Sequence, residues 1–316
     1  MSFSHTVKAE LSQVSVSARH CQLAELAAII SMAGKVTFEA GSCSIRVASE
    51  NVYVTQRFSH LVKKAFAYDT EVSYNNHSSG KAYAVYVRES DMAVKILRAA
   101  KLLKDDPLSC RSDMGLVSLS GINQLCCKRA FLRGCFLAGG SISDPEKAYH
   151  LEIVAGSKEK AALLVETAGY FELEAKSVQR RGLYVFYIKE GAQIVDMLNV
   201  MGAHNCLMEL ESIRVVKEVR NSVNRKVNCE TANLNKTVNA AVKQIEDIRY
   251  INETIGLDKL PEGLEEIASV RLANPDMPLK DLGERLSSPL GKSGVNHRLR
   301  KISQIADDLR DGLLIL

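Results

Sequence analysis

Two stretches of small and apolar residues, Leu26 to Gly34 (LAAIISMAG) and Leu132 to Gly140 (LRGCFLAGG), lie 106 residues apart and limit how this chain can fold. In the second, Leu132, Cys135 and Phe136 recur at the i, i+3, i+4 interval of one helix face, while Gly134 and Ala138 leave a track with no side chain beyond a methyl. Such a helix lets another backbone come close. Each run is far shorter than the about 20 residues needed to cross a bilayer, so both are read as buried packing helices. Gly139 and Gly140 predict a helix stop at positive φ, which glycine adopts at little steric cost.

The segments after the two copies repeat as well. After Gly34 come the alternating runs Val36, Phe38 and Ile45, Val47, broken by Ala40-Gly41-Ser42 and read as a hairpin. An amphipathic segment comes next over Val52 to Phe66, then a hairpin over Glu71 to Val87 turning at Asn75 to Gly80, then a helix over Met92 to Leu103. After Gly140 the order recurs: a strand pair ending in His150 to Val154, a helix Lys158 to Phe171, a hairpin Lys176 to Lys189 turning at Arg180 to Gly182, and a helix Ala192 to Met201. Each half reads αββαββα, and a repeat of this size implies two half-domains, about 20–104 and 126–210, that pack their first helices together. Lys104 to Leu125, with Pro107, Gly115 and Gly121, reads as the surface linker between them. The repeat domain is placed at 1–215 and a second, all-α domain at 216–316.

The net charge of the 316 residues is only +4, so any nucleic-acid signal has to be local. One local signal is Ile213 to Val227, where Arg214, Lys217, Arg220, Arg225 and Lys226 face the single Glu218, with Asn221, Asn224 and Asn228 interleaved. Bases and amides of this kind donate to phosphate oxygens or base edges, although a solvated connector helix capped by its asparagines has the same composition. Helical spacing continues over Ala240 to Ile251 and again at Leu264, Ile267, Ala268 and Arg271 before Pro275. Leu279 to Leu286 and Lys292 to Ile302, joined through Ser287 to Gly291, then have the layout of a helix-turn-helix spanning about 277–310.

At about 100° per residue, Val295, Leu299 and Ile302 form one apolar seam, and Ser293, His297, Arg300 and Gln304 lie opposite, with Asn296 and Lys301 on the flanks. No acidic residue occurs between Lys292 and Lys301. A recognition helix needs this chemistry: Arg for guanine, Asn for adenine, Lys and Ser for phosphate. Contacts to double-stranded DNA are therefore expected from Lys292, Ser293, Asn296, His297, Arg298, Arg300 and Lys301, with additional contacts from Arg220, Arg225 and Lys226.

Other chemistries find little support. Neither a phosphate loop nor a G-x-G-x-x-G is present, and His150 and His204 are read as structural residues. The eight cysteines show no C-x-x-C pair and no histidine at zinc-finger spacing, so neither a metal nor a cofactor is expected. The adjacent Cys126 and Cys127 are read as small half-buried side chains, with redox sensitivity as the alternative. The N-terminus lacks a secretory pattern and no apolar run reaches membrane length, which predicts a cytoplasmic protein, and the expected DNA contacts make it nucleoid-associated.

The repeat resembles the LAGLIDADG homing-endonuclease fold, in which paired helices form the interface and two saddle-shaped sheets lie over DNA. The nine letters of that motif fall on Leu26 to Gly34 and Leu132 to Gly140. In active nucleases the eighth letter is an acidic residue that binds the catalytic metal. Here it is Ala33 and Gly139, neither of which holds a hard cation. This frame, together with the stretch NSVNRKVNCETANLNKT and the ending KSGVNHRLRKI, closely resembles the WhiA family of bacterial regulators over nearly the whole chain. The resemblance implies an α+β fold: a pseudo-twofold LAGLIDADG-like domain followed by an all-α helix-turn-helix domain. It also implies a non-enzymatic transcriptional regulator of cell division, chromosome segregation and, in spore formers, sporulation. Another transcription factor or an RNA polymerase component is a further expected partner class. Two rivals stay open: a residual metal-dependent nuclease drawing on Asp144 or Glu146, and a scaffold whose N-terminal domain binds another protein.

Overall fold

The chain divides into two compact units, residues 1–218 and 219–316. The structure, a computed structural model, describes residues 2–39, 41–77, 80–103 and 122–313, and the side chains of 75–77, 80 and 81 are not described. Most of the expected linker, including Pro107, Gly115 and Gly121, lies outside the described residues, as do Ala40 and residues 78 and 79 of the Asn75 to Gly80 turn.

The first unit opens on α1 (Phe3–Ser12), a helix that the sequence patterning does not predict, capped by Ser2 and buried through Val7 and Leu11. The first half then runs α2 (Arg19–Ala33), β1 (Gly34–Glu39), β2 (Ser42–Ser49), α3 (Val52–Phe66), β3 (Glu71–His77), β4 (Gly80–Val87) and α4 (Ser90–Ala99). The second half runs α5 (Leu125–Gly139), β5 (Gly140–Ile142), β6 (Leu151–Ala155), α6 (Lys158–Gly169), β7 (Lys176–Arg180), β8 (Leu183–Ile188) and α7 (Gly191–Met201). The two sheets are antiparallel with equivalent orders, β1-β2-β4-β3 and β5-β6-β8-β7. α2 and α5 are each 15 residues long and begin 106 residues apart, so the repeat read from the sequence is the repeat of the fold.

Local chemistry explains these elements. Asn51 caps α3 by accepting from the Tyr53 N–H at 2.9 Å, and Val54, Phe58, Leu61, Val62 and Ala65 recur at helical spacing on its buried face. In β2 the period is two, with Cys43, Ile45 and Val47 buried and Arg46 exposed. α4 starts and ends earlier than expected, at Ser90 and Ala99.

The motif helices pack against each other along the small-residue track. A Cβ built on Gly134 would stand 2.7 Å from both the Ala28 Cβ and the Glu25 carbonyl oxygen, so this crossing admits no side chain. The glycines that end the helices act differently from the expectation. Gly34 and Gly140 have φ of −84° and −86°, in the extended region, so no left-handed stop occurs. Glycine is needed there because the chain passes from helix into strand with no loop. A Cβ on Gly140 would come 2.5 Å from the Phe136 carbonyl oxygen, and one on Gly34 would meet the Ile30 carbonyl.

One helix, α8 (His204–Thr254), carries the chain from the first unit into the second. The basic stretch and the helix expected over Ala240 to Ile251 are therefore one element, and its asparagines sit in mid-helix rather than as caps. The second unit continues with α9 (Leu264–Ala273), α10 (Leu279–Glu284) and α11 (Lys292–Arg310), which close over a core that includes Ile248, Ile251, Ile267, Leu282, Val295, Leu299 and Ile302.

Candidate nucleic-acid interface

The α10–turn–α11 hairpin is fixed by contacts that leave one face of α11 free of the core. Gly283 lets the two helices approach: the Leu290 N–H donates to its carbonyl at 3.0 Å, and a Cβ at Gly283 would run into the Leu290 carbonyl and stand 3.0 Å from Val295 Cγ2. Glu266 of α9 reaches into the turn, accepting from the Ser287 N–H at 2.6 Å and from its hydroxyl at 3.0 Å. Arg271, buried beneath, donates to the Met277 carbonyl at 2.7 Å. At the far end of α11, Arg310 pairs with the buried Asp247 of α8 at 2.8 Å and with Asp307 at 2.8 Å.

With α11 held this way, the expected seam is inward: Val295, Leu299 and Ile302 are each at most 1% exposed. Lys292, Ser293, His297, Arg300 and Lys301 are exposed, and Asn296 is half-buried at the edge. Arg298 is placed differently. It is half-buried and donates to the Gly263 carbonyl at 3.0 Å, bracing α11 against the start of α9. The first turn of α11 contains no acidic residue and Gly291 makes no side-chain cap, which suits an anion at this end of the helix.

The additional candidates on α8 do not converge. Arg220, Arg225 and Lys226 are all exposed, but at about 100° per residue they point in three directions around the helix. Asn221, Asn224 and Asn228 share one face within about 60° of each other, and Val219, Val223 and Val227 share another, also exposed. In the first unit, the vestigial positions Ala33 and Gly139 close their helices, and a Cβ at Gly139 would stand 2.8 Å from the Val154 carbonyl oxygen. Asp144 and Glu146 lie in an exposed turn where Asp144 accepts from the Glu146 N–H at 3.0 Å and stands 3.7 Å from Lys147 Nζ.

Three family models match in chain order: the WhiA N-terminal LAGLIDADG-like domain over residues 19–103, the WhiA LAGLIDADG-like domain over 128–220, and the WhiA C-terminal HTH domain over 223–306. The chain belongs to the WhiA family. Among similar WhiA proteins, the probable cell division protein WhiA of Lachnoclostridium phytofermentans is 48% identical over 316 residues, covering 98% of this chain and all of that one. That of Alkaliphilus oremlandii is 48% identical over 322 residues, covering 99% of both. The crystal structure of full-length DUF199/WhiA from Thermatoga maritima has a TM-score of 0.60 at 28% identity, covering 97% of this chain and 98% of that chain. The WhiA assignment thus joins a degenerate LAGLIDADG-like domain to a helix-turn-helix domain, as the residues imply. No helix among the described residues is long and apolar enough to cross a membrane.

One group of side chains escapes a search for metal motifs along the chain. His20, Cys21, Cys126 and Cys127 bring one ligand atom each to within 4.8 Å of one another. Cys126 and Cys127 are the 106-residue counterparts of His20 and Cys21, so the repeat offset, applied to the cysteines, is the sequence signal that finds them. Of the remaining cysteines, Cys43, Cys135 and Cys206 are buried and Cys229 is exposed, while Cys110 lies outside the described residues.

Proposed function

We propose that this chain is a non-enzymatic DNA-binding protein that regulates transcription in cell division and chromosome segregation, acting on the nucleoid in the cytoplasm. The observation that carries the reading is the two-faced α11: a buried Val295, Leu299, Ile302 seam, and an outer face of Lys292, Ser293, His297, Arg300 and Lys301 without an acidic residue. Such a helix enters the major groove with its N-terminal residues toward base edges and its first-turn N–H groups and lysines on phosphates. In this reading Arg300 and Asn296 contact bases, Lys292 and Lys301 hold phosphates, and Arg298 positions the helix through Gly263. The cell-division role is supported by the names of the relatives, each a probable cell division protein. Another transcription factor or an RNA polymerase component is proposed as a protein partner of the LAGLIDADG-like unit.

The absence of catalysis follows from Ala33 and Gly139, which stand where two metal-binding acids would be required. Purified protein incubated with supercoiled plasmid and Mg²⁺ or Mn²⁺ should leave the plasmid intact. Nicking that survives purification and disappears on Asp144→Asn supports the nuclease instead. The DNA reading itself is tested by titrating duplex DNA with the full chain and with Arg300→Ala, where loss of sequence preference without loss of folding is the expected result.

A further inference from the structure

We propose that His20, Cys21, Cys126 and Cys127 form a tetrahedral site for one zinc ion, built across the pseudo-twofold axis where the two motif helices begin. His20 and Cys21 are the second and third residues of α2, and Cys126 and Cys127 are the second and third residues of α5. Packing the two helices together therefore brings one pair from each half into a single cluster.

The geometry fits the ion. His20 Nδ1 lies 3.1 Å from Cys127 Sγ, 3.3 Å from Cys21 Sγ and 4.0 Å from Cys126 Sγ. With Zn–S bonds of about 2.3 Å and Zn–N bonds of about 2.0–2.1 Å, a tetrahedron has N···S edges of about 3.6 Å and S···S edges of about 3.8 Å. The three observed distances straddle the first value, and all four ligand atoms lie within 4.8 Å of one another, so small side-chain rotations close the site. A Cys3His set is a closed structural zinc arrangement, and thiolates select against hard cations such as magnesium and calcium.

The two helix ends favour the charge of the complex. Three thiolates, a neutral imidazole and Zn²⁺ carry a net charge of −1, and the complex sits at two helix N-termini whose first turns contain no acidic residue and whose cap residues, Ala18 and Gln124, make no side-chain cap. As a thiol, Cys126 donates its S–H to Gln124 Oε1 at 3.3 Å, and turning that amide over would present its NH₂ to the thiolate. Cys21 and Cys127 are buried while His20 and Cys126 are exposed, which leaves an edge open for metal entry. The site is distinct from the degenerate motif positions. Twelve residues separate Cys21 from Ala33 along α2, a helical distance of about 18 Å. The ion would staple the two halves at the end of the helix pair remote from the sheets' first strands.

The test uses the reduced full-length chain with Co²⁺ as probe and Zn²⁺ as competitor. One equivalent of cobalt should give thiolate charge-transfer absorption and the intense visible bands of tetrahedral cobalt, both displaced by zinc, and zinc should raise the melting temperature of the first unit. His20→Ala and Cys126→Ser alter exposed side chains and should leave the circular dichroism unchanged while weakening cobalt binding more than about 10–100-fold, the loss typical of a supporting partner alone. Cys229→Ser, remote in sequence and exposed, should change nothing. Octahedral or absent cobalt spectra, or a tetrahedral spectrum retained in both His20→Ala and Cys126→Ser, would overturn the proposal.

Discussion

The Arg133 guanidinium of α5 donates to Oε2 of Glu25 on α2 at 2.8 Å, across the interface between the two halves. Glu25 is fully buried and also accepts from Arg57 Nε at 2.7 Å, so one carboxylate serves two guanidiniums. Backbone carbonyls accept further bonds, those of Ser12 and Val14 from Arg57 and that of Met201 from Arg133. The arrangement breaks the repeat. The 106-residue counterparts of Glu25, Arg57 and Arg133 are Phe131, Leu163 and Ala27, so the charge network exists once and distinguishes the first half from the second.

Removing the shared acceptor leaves two buried cations facing each other. Glu25→Ala should destabilise the first unit by about 3 to 5 kcal/mol, the cost typical of breaking a buried ion pair. Arg133→Met, which leaves Glu25 paired with Arg57, should cost less. Urea denaturation followed by circular dichroism measures both, and equal losses would mean that the network does not act through its charge.

Gly134→Leu should overpack the helix crossing by about 1 to 3 kcal/mol or more, because even a Cβ meets Ala28 and the Glu25 backbone at 2.7 Å. The melting temperature of the first unit reports this. An unchanged value would place the closest approach of the helices elsewhere.

Much of the fold was legible because it rests on short-range pattern. The ends of α3 and the β3–β4 hairpin follow from the caps and alternation around Val52, Phe66, Glu71 and Val87, and the buried seam of α11 follows from the angles of Val295, Leu299 and Ile302. Three features could not be read that way. α1 precedes the first copy of the repeat and owes its burial to tertiary contact. The continuity of α8 was hidden because Val219 to Ala240 are all exposed, so no buried stripe marks a helix there. Arg298 looks like its basic neighbours, and only the position of Gly263 separates it from them. The cysteine cluster needed the repeat offset as well as the cysteine spacing.

Arg298 and Gly283 should affect DNA indirectly. Gly283→Ala places a methyl against the Leu290 carbonyl and Val295, so α11 should shift and binding weaken for all sequences, with a lowered melting temperature of the second unit. Gly283→Ala with an unchanged melting temperature and full binding would show that the hairpin tolerates the displacement.

Base and phosphate contacts should separate by salt and sequence. Arg300→Ala should cost about 1 to 3 kcal/mol on the preferred site and relax preference at one position. Lys292→Ala should weaken binding to all duplexes alike and reduce the slope of log K against log salt by about one. Fluorescence anisotropy at two salt concentrations on matched and mismatched duplexes distinguishes the two.

If the outer face of α11 reads DNA sequence, changing that face alone should abolish sequence preference. The most direct measurement is selection from a pool of randomised duplexes by the full-length chain and by a variant with Ser293, His297, Arg300 and Lys301 all changed to alanine, its folding verified by circular dichroism. The unaltered chain should enrich one motif and the variant none. Enrichment of the same motif by both would contradict this and move DNA recognition to another surface.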